Sequence, residues 1–329
     1  MKTKFLFAAA FTLLLFSCNN DNSPEPIQNL TLENLSFLPS NIPQDFYDDL
    51  TFTNETTAYA VSRLGKIVKT IDGGTSWDEL NSLVAFPLVK VQFVDENIGF
   101  VIGGDATGSY LLKTTNAGQT WSVQNLNSEL KGAPSSMFFK NQNEGFITGN
   151  KLFIKTTNGG QTWTKAITTT DENYKDINFN HNYSLGYVTL NTGDYYKSTN
   201  GGNSWQTIDN ISDNNYSTIY FVCDKVLFKN NNFVTNLEDN RSISIPSPVS
   251  KLLYLNTNKC VGIGQHYEIG FFPYGDILLT NDNWTNFLQK TYQPSSEVMD
   301  FTAIAKMSNH KIMILGTGQL GTKIVVLNY

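Results

Sequence analysis

Arginine is almost missing from this 329-residue chain: only Arg63 and Arg241 stand among its 23 basic residues. Against 29 acidic residues the formal charge is −6, and no basic run forms a patch, which argues against nucleic acid as a partner. Histidine is equally sparse. His181, His266 and His310 lie far apart, with no G-x-S-x-G, C-x-x-C, H-E-x-x-H or D-x-D-x-D-G run. Neither a nucleophile nor a metal motif is therefore present, and no catalytic residue, metal or cofactor is expected. Charged residues make up only 16%, against 40% hydrophobic and 13% aromatic, which excludes a disordered chain and fits a strand-rich fold.

One apolar run exists, Phe5–Phe16, and it is too short to cross a bilayer. Lys2 and Lys4 precede it and Leu15-Phe-Ser-Cys18 follows, so residues 1–17 read as an export leader. The tetrapeptide resembles a bacterial lipobox, with Phe16 an uncommon member, and the resemblance makes Cys18 an acylated first residue. The alternative is an ordinary secretory cut with Cys18 a bystander. Residues 18–28, the lipidated Cys and a polar stretch with two prolines, then form a tether. Loss of Lys2 and Lys4 leaves 21 basic residues against 29 acidic ones, a charge of −8. The expected location is a bacterial membrane, on its periplasmic or cell-surface side, held through the N-terminal lipid.

The rest of the chain is organised by a nine-residue repeat. It appears as KTIDGGTSW at Lys69–Trp77, KTTNAGQTW at Lys113–Trp121, KTTNGGQTW at Lys155–Trp163 and KSTNGGNSW at Lys197–Trp205. The tryptophans are 44, 42 and 42 residues apart, so one supersecondary unit is repeated and stacked. Asp or Asn before Gly suits a tight connection, because the side chain caps backbone N–H groups and Gly accepts positive φ. The flanking hydroxyls bond the same turn, and the indole pins it by burial.

The pattern S/T-x-D-x-G-x-T/S-W resembles the Asp-box (BNR) repeat of β-propellers. With Phe93-Val-Asp-Glu-Asn-Ile-Gly-Phe ahead of the box, the unit is most similar to the photosystem II stability/assembly factor-like group, over roughly residues 43–329. The resemblance implies that each box joins the third and fourth strands of a blade, on the face away from ligands. Asp72, Asn116, Asn158 and Asn200, with Trp77, Trp121, Trp163 and Trp205, are then structural, and Asn keeps the cap without the charge.

Each unit divides into four short strands between turn clusters. Gly99, Gly145 and Gly186, each followed by Phe or Tyr, mark one point of the second strand in units two to four. After Trp205 the boxes decay. A fifth unit covers Tyr220 to Ile245, and a sixth has a box shortened to Thr280-Asn-Asp-Asn-Trp284. The seventh, from Asp300 to Leu327, stops one strand short, and Leu30–Leu38 is free to complete it and remove an open edge. The expected fold is all-β: a seven-bladed propeller of four-stranded antiparallel blades over residues 29–329, its last blade closed by an N-terminal strand. Six or eight blades is the alternative. Cys223 and Cys260 fall near first-to-second-strand turns of neighbouring blades, leaving either a bridge or two buried thiols.

Function is less legible. Ligand contacts are expected on the face opposite the boxes, chiefly in Gly264–Gly275, which holds His266, Tyr267, Glu268 and Tyr274. Tyr174, Asp176, Asp194, Tyr195 and Tyr216 are expected on the same face. A sialidase resemblance requires three arginines to grip the substrate carboxylate, and two are present. Other glycosidases need a set pair of carboxylates, and nothing selects two from Asp105, Asp194, Glu268, Asp276 and Asp300. The expectation is a non-catalytic binding or assembly platform for a protein or glycan, with a non-sialidase glycoside hydrolase as the alternative. The photosystem assembly client itself does not carry over, because the basic patch it would require needs arginines this chain lacks.

Overall fold

The computed structural model describes residues 30–105, 108–126, 133–167, 172–208, 218–222, 225–230, 233–237, 241–245, 249–256, 258–267, 273–282, 284–292, 300–318 and 321–329. The leader, Cys18 and the tether lie outside these residues. Within them the chain forms seven antiparallel sheets of four strands. The innermost strands of blades one to seven are Tyr47–Phe52, Leu88–Phe93, Pro134–Phe139, Tyr174–Phe179, Thr218–Val222, Val249–Tyr254 and Asp300–Ser308.

The ring closes as expected. Leu35–Leu38 is the outermost strand of blade seven, pairing antiparallel to Gly321–Asn328 with Leu35 opposite Leu327 and Leu38 opposite Ile324. Blade one then packs on both blade two and blade seven. First and last segments of the chain thus share one sheet, and the loop-closure entropy is offset by a continuous core.

That core lies between blades. Trp77 packs with blade-one residues and with Ala303, Met313 and Leu315 of blade seven. Trp121 joins Tyr59 and Val61 of blade one, and Trp163 joins Phe100 and Ile102 of blade two. Each indole is therefore a wedge against the preceding blade. The Gly-aromatic steps have a steric cause: a Cβ at Gly99 would sit 2.5 Å from the Phe93 ring, and one at Gly145 2.3 Å from Phe139.

The boxes bond internally as their composition requires. Gly74 N–H donates to Thr70 Oγ1 at 2.9 Å and Ser76 N–H to Asp72 Oδ1 at 2.9 Å. Asn116 copies this, accepting from Thr120 N–H at 3.0 Å while its own amide donates to Thr120 Oγ1 at 2.9 Å. Asn158 and Asn200 do the same with Thr162 and Ser204.

The sixth box is corrected by the structure: it is not shortened. Trp284 N–H donates to Thr280 Oγ1 at 2.9 Å, the bond Gly74 makes, and Trp284 has φ +68°. Asp282 takes the aspartate place and receives Asn286 N–H at 2.9 Å. Trp284 therefore occupies the glycine position, its ring still buried against Gly262, and the terminal-indole position falls to exposed Phe287. Cys260 is a free, buried thiol, which burial pushes well above the usual thiol range. Cys223 lies outside the described residues.

Candidate functional site at the channel mouth

Antiparallel pairing puts the boxes at one end of the ring and the inter-blade links, with the second-to-third-strand turns, at the other. At that second end the innermost strands share a defect. Register shifts fall between Tyr47 and Asp49, Leu88 and Lys90, Pro134 and Ser136, Tyr174 and Asp176, and Val249 and Lys251. A bulge re-aims the residue beside it, and here the residues after it form a polar ring around the axis.

The ring is bonded from blade to blade. Asp49 Oδ2 accepts Val91 N–H at 3.0 Å, and Asp176 Oδ2 accepts Ile219 N–H at 3.0 Å. Lys90 Nζ donates to Ser136 Oγ at 2.8 Å and lies 3.7 Å from Asp176 Oδ1, to which Ser136 donates at 2.7 Å. Lys251 Nζ donates to the Asp48 carbonyl, two blades away. Burial raises the Asp49 carboxyl, opposed by the charges of Lys251 and Lys90. Such a network fixes blade angles and presents balanced charge rather than a single free nucleophile.

Above the ring, at blade one, Arg63 forks onto Asp48 with contacts of 2.9–3.1 Å and lies 5.5 Å over the Phe46 ring. Asp300, opening blade seven, is pushed up to about 6 by burial, with Arg63 opposing and Asp48 adding to the rise. Among the described residues no group of three His, Cys, Asp or Glu could hold a metal.

Of the residues expected on this face, Asp176 is part of the ring. Tyr174 and Tyr195 are not surface groups: they are 2% and 6% exposed, because their strand positions face the layers between blades. Tyr174 packs 5.7 Å from Phe153, and Tyr195 4.8 Å from Phe228. Asp194 is half-buried just ahead of the strand Tyr195–Ser198 and accepts Thr192 Oγ1 at 3.0 Å. The two ends of Gly264–Gly275 are paired strand rather than loop, since Cys260–Tyr267 pairs with Pro273–Thr280 and His266 stands opposite half-buried Tyr274, while residues 268–272 lie outside the described residues. Glu268 and Tyr216 lie outside the described residues. Asp276 is buried and accepts Gln289 Nε2 and Thr291 Oγ1, so its role is structural.

Asp48, Asp49, Lys90 and Lys251 were not singled out from the sequence, and Arg63 was weighed only as one of too few arginines for a sialidase. For Asp49, Lys90 and Lys251 the signal was a charged residue recurring at one place in several apolar first strands, visible in Leu88-Val-Lys-Val, Tyr174-Lys-Asp-Ile and Val249-Ser-Lys-Leu.

Residues 38–138 match the family model of photosynthesis system II assembly factor YCF48. The matched span covers blades one and two and the first strand of blade three. A structure of YCF48 bound to a D1 peptide is similar across 92% of this chain and 99% of its own, with TM-score 0.70 and 17% identity. YCF48 from Cyanidioschyzon merolae follows at TM-score 0.67 and 13% identity, over 89% of this chain and 98% of its own. The GH74 enzyme of Niastella koreensis aligns at TM-score 0.66 and 14% identity over 85% of this chain, but only 52% of the enzyme. This chain thus spans a whole YCF48-like propeller and about half of a GH74 enzyme. No curated protein matches it.

Proposed function

We propose that this chain is a non-catalytic docking platform, a YCF48-like propeller that holds a segment of a protein partner on the channel-mouth face. The observation that carries the reading is the ring of Asp49, Lys90, Ser136, Asp176 and Lys251. Its charges are spent on blade-to-blade bonds, which gives a rigid floor suited to binding. YCF48, similar in fold, has a structure with a peptide bound, which supports a protein partner over a glycan. Acylation of Cys18 would tether the platform outside the cytoplasm. Leu30 leaves the ring at the box end, where its N–H donates to Asn281 Oδ1 at 3.0 Å and its carbonyl accepts Asn281 Nδ2. A tether starting there leaves the opposite face unobstructed.

A second reading, glycoside hydrolysis, rests on Asp300, a raised carboxyl beside the Asp48 carboxylate on a fold shared with GH74 enzymes. Screening the purified domain against chromogenic glycosides, glycan arrays and peptide arrays separates the two. Binding without turnover supports the platform. Turnover abolished by Asp300→Asn or Asp48→Asn would overturn it. Metabolic labelling with a radioactive fatty acid, lost in Cys18→Ser, tests the anchor.

A further inference from the structure

Three chain segments meet on the blade-one side of the channel mouth. Arg63 N–H donates to the Phe46 carbonyl at 3.0 Å, joining the second-to-third-strand turn to the link that enters blade one. Gly65 of that turn abuts the link leaving blade one: a Cβ there would lie 2.9 Å from the Val84 carbonyl and 3.1 Å from Ala85 Cα. The segments carry Phe46, Leu64 and Leu83, which are 41%, 65% and 61% exposed.

Leu83 is held at φ +64°, a left-handed conformation that is strained for a leucine and that Asn or Gly would adopt more readily. Leu83 N–H donates to Asn81 Oδ1 at 3.1 Å and Val84 N–H to Ser82 Oγ at 3.4 Å, so the turn is braced from within. The strain is spent on keeping an apolar side chain in water, where it gains nothing from the fold.

Beside these side chains the charge is unbalanced toward acid. The Arg63 guanidinium is committed to Asp48 through three contacts. Asp300 is in electrostatic reach of Arg63, Asp48 and Lys251, and takes no side-chain hydrogen bond from any described residue. Lys251 is itself engaged with the Asp48 carbonyl, and Asp45 adds a third carboxyl in reach of Arg63. A cation brought here would find a carboxylate whose positive neighbours are already engaged, and the apolar side chains would supply the contact area.

We infer that Phe46, Leu64, Leu83, Asp48 and Asp300 form the docking site for a partner protein segment bearing a Lys or Arg next to a large apolar residue. The inference rests on the platform reading and specifies where on that face the partner sits and what chemistry it presents. The burial of the Asp300 carboxyl agrees with it, since an incoming cation would offset the cost of keeping that charge out of water.

The test pans a phage-displayed library of random dodecapeptides on the full chain, then measures synthetic winners by fluorescence polarisation on Leu64→Ser, Leu83→Ser and Asp300→Asn. All three positions are at the surface or the mouth, and a single cooperative melting transition no lower than the parent's certifies each variant; should one fail to fold, the others carry the test. Winners are expected to pair a basic with an apolar residue, to bind about tenfold more weakly to each variant, and to weaken with salt. Winners that lack a basic residue, or that bind the variants as tightly as the parent, overturn the inference and leave the platform reading standing. No enrichment at all overturns both.

Discussion

Lys69 of blade one donates from Nζ to the carbonyl of Ala117 in the box of blade two, at 3.0 Å. Tyr59, its cross-strand partner, donates its hydroxyl to the same oxygen at 2.8 Å, and the ammonium lies 5.3 Å over the Tyr59 ring. The arrangement recurs one blade on, where Lys113 lies over Phe100 and reaches the Gly159 carbonyl at 3.0 Å. Lys155 lies over Phe146 and reaches Asn203 Oδ1 at 2.9 Å. The lysine that opens each of the first three repeats is thus a strut between blades.

Lys113→Met keeps the apolar stem but removes the donor and the charge over Phe100. It is expected to cost about 1 kcal/mol, the net value of one such bond, read as a small fall in melting temperature. Peptide binding at the channel mouth should not change, because the strut is at the box end.

Backbone shape at the boxes is testable at two glycine-equivalent places. Gly160 has φ +90°, and a Cβ there would sit 2.7 Å from Leu111 Cδ2. Gly160→Ala should therefore destabilise by about 1–3 kcal/mol. Ala117 already holds φ +55° where the boxes of blades one, three and four carry Gly73, Gly159 and Gly201, so in Ala117→Gly the relief of strain and the added unfolded-state entropy nearly cancel. Paired thermal melts check both.

Trp163 is 8% exposed and meets Phe139 edge-on at 6.3 Å. Trp163→Ala should cost about 3–5 kcal/mol, measured by denaturant titration, while sparing ligand affinity in the folded fraction. An unchanged melting point with lost binding would mean the boxes are the binding face.

Asp300 gives a pH signature. Its carboxyl is raised from 3.8 to about 6, chiefly by burial. A raised carboxyl contributes fully below its unfolded value and loses that contribution as pH climbs through its folded value. Asp300→Asn should therefore raise the melting temperature at pH 7.5 and leave it nearly unchanged at pH 3.5, with the difference opening between about pH 4 and 6. A difference that is flat across that window would contradict the burial of this group.

Asp72 behaves in the opposite sense. Bonds from Ser76 hold its carboxyl at about 2, so its contribution is present above the usual carboxylate range and fades as pH falls toward 2. Asp72→Asn copies the boxes of Asn116, Asn158 and Asn200 and should be nearly neutral at pH 7, while removing that acid-limb loss in a pH-dependent melt.

The period of the tryptophans, the hydroxyl-Asp-Gly chemistry of the turns and the missing fourth strand of unit seven pointed to the strand order and closure and to seven blades, with six or eight left open until the sheets were seen. These features are local: each turn makes its own bonds, and a repeat too small to bury its core alone must stack. The glycine role of Trp284 was hidden because a bulky residue at positive φ is so uncommon that the indole was aligned with indoles. Only the tertiary structure decided the channel mouth. Bulges at the same place in the innermost strands bring Asp49, Lys90, Asp176 and Lys251 together from segments more than forty residues apart. It likewise sent Tyr174 and Tyr195 inward, since which side of a strand faces a neighbouring blade depends on the radial packing of sheets, which no single repeat encodes.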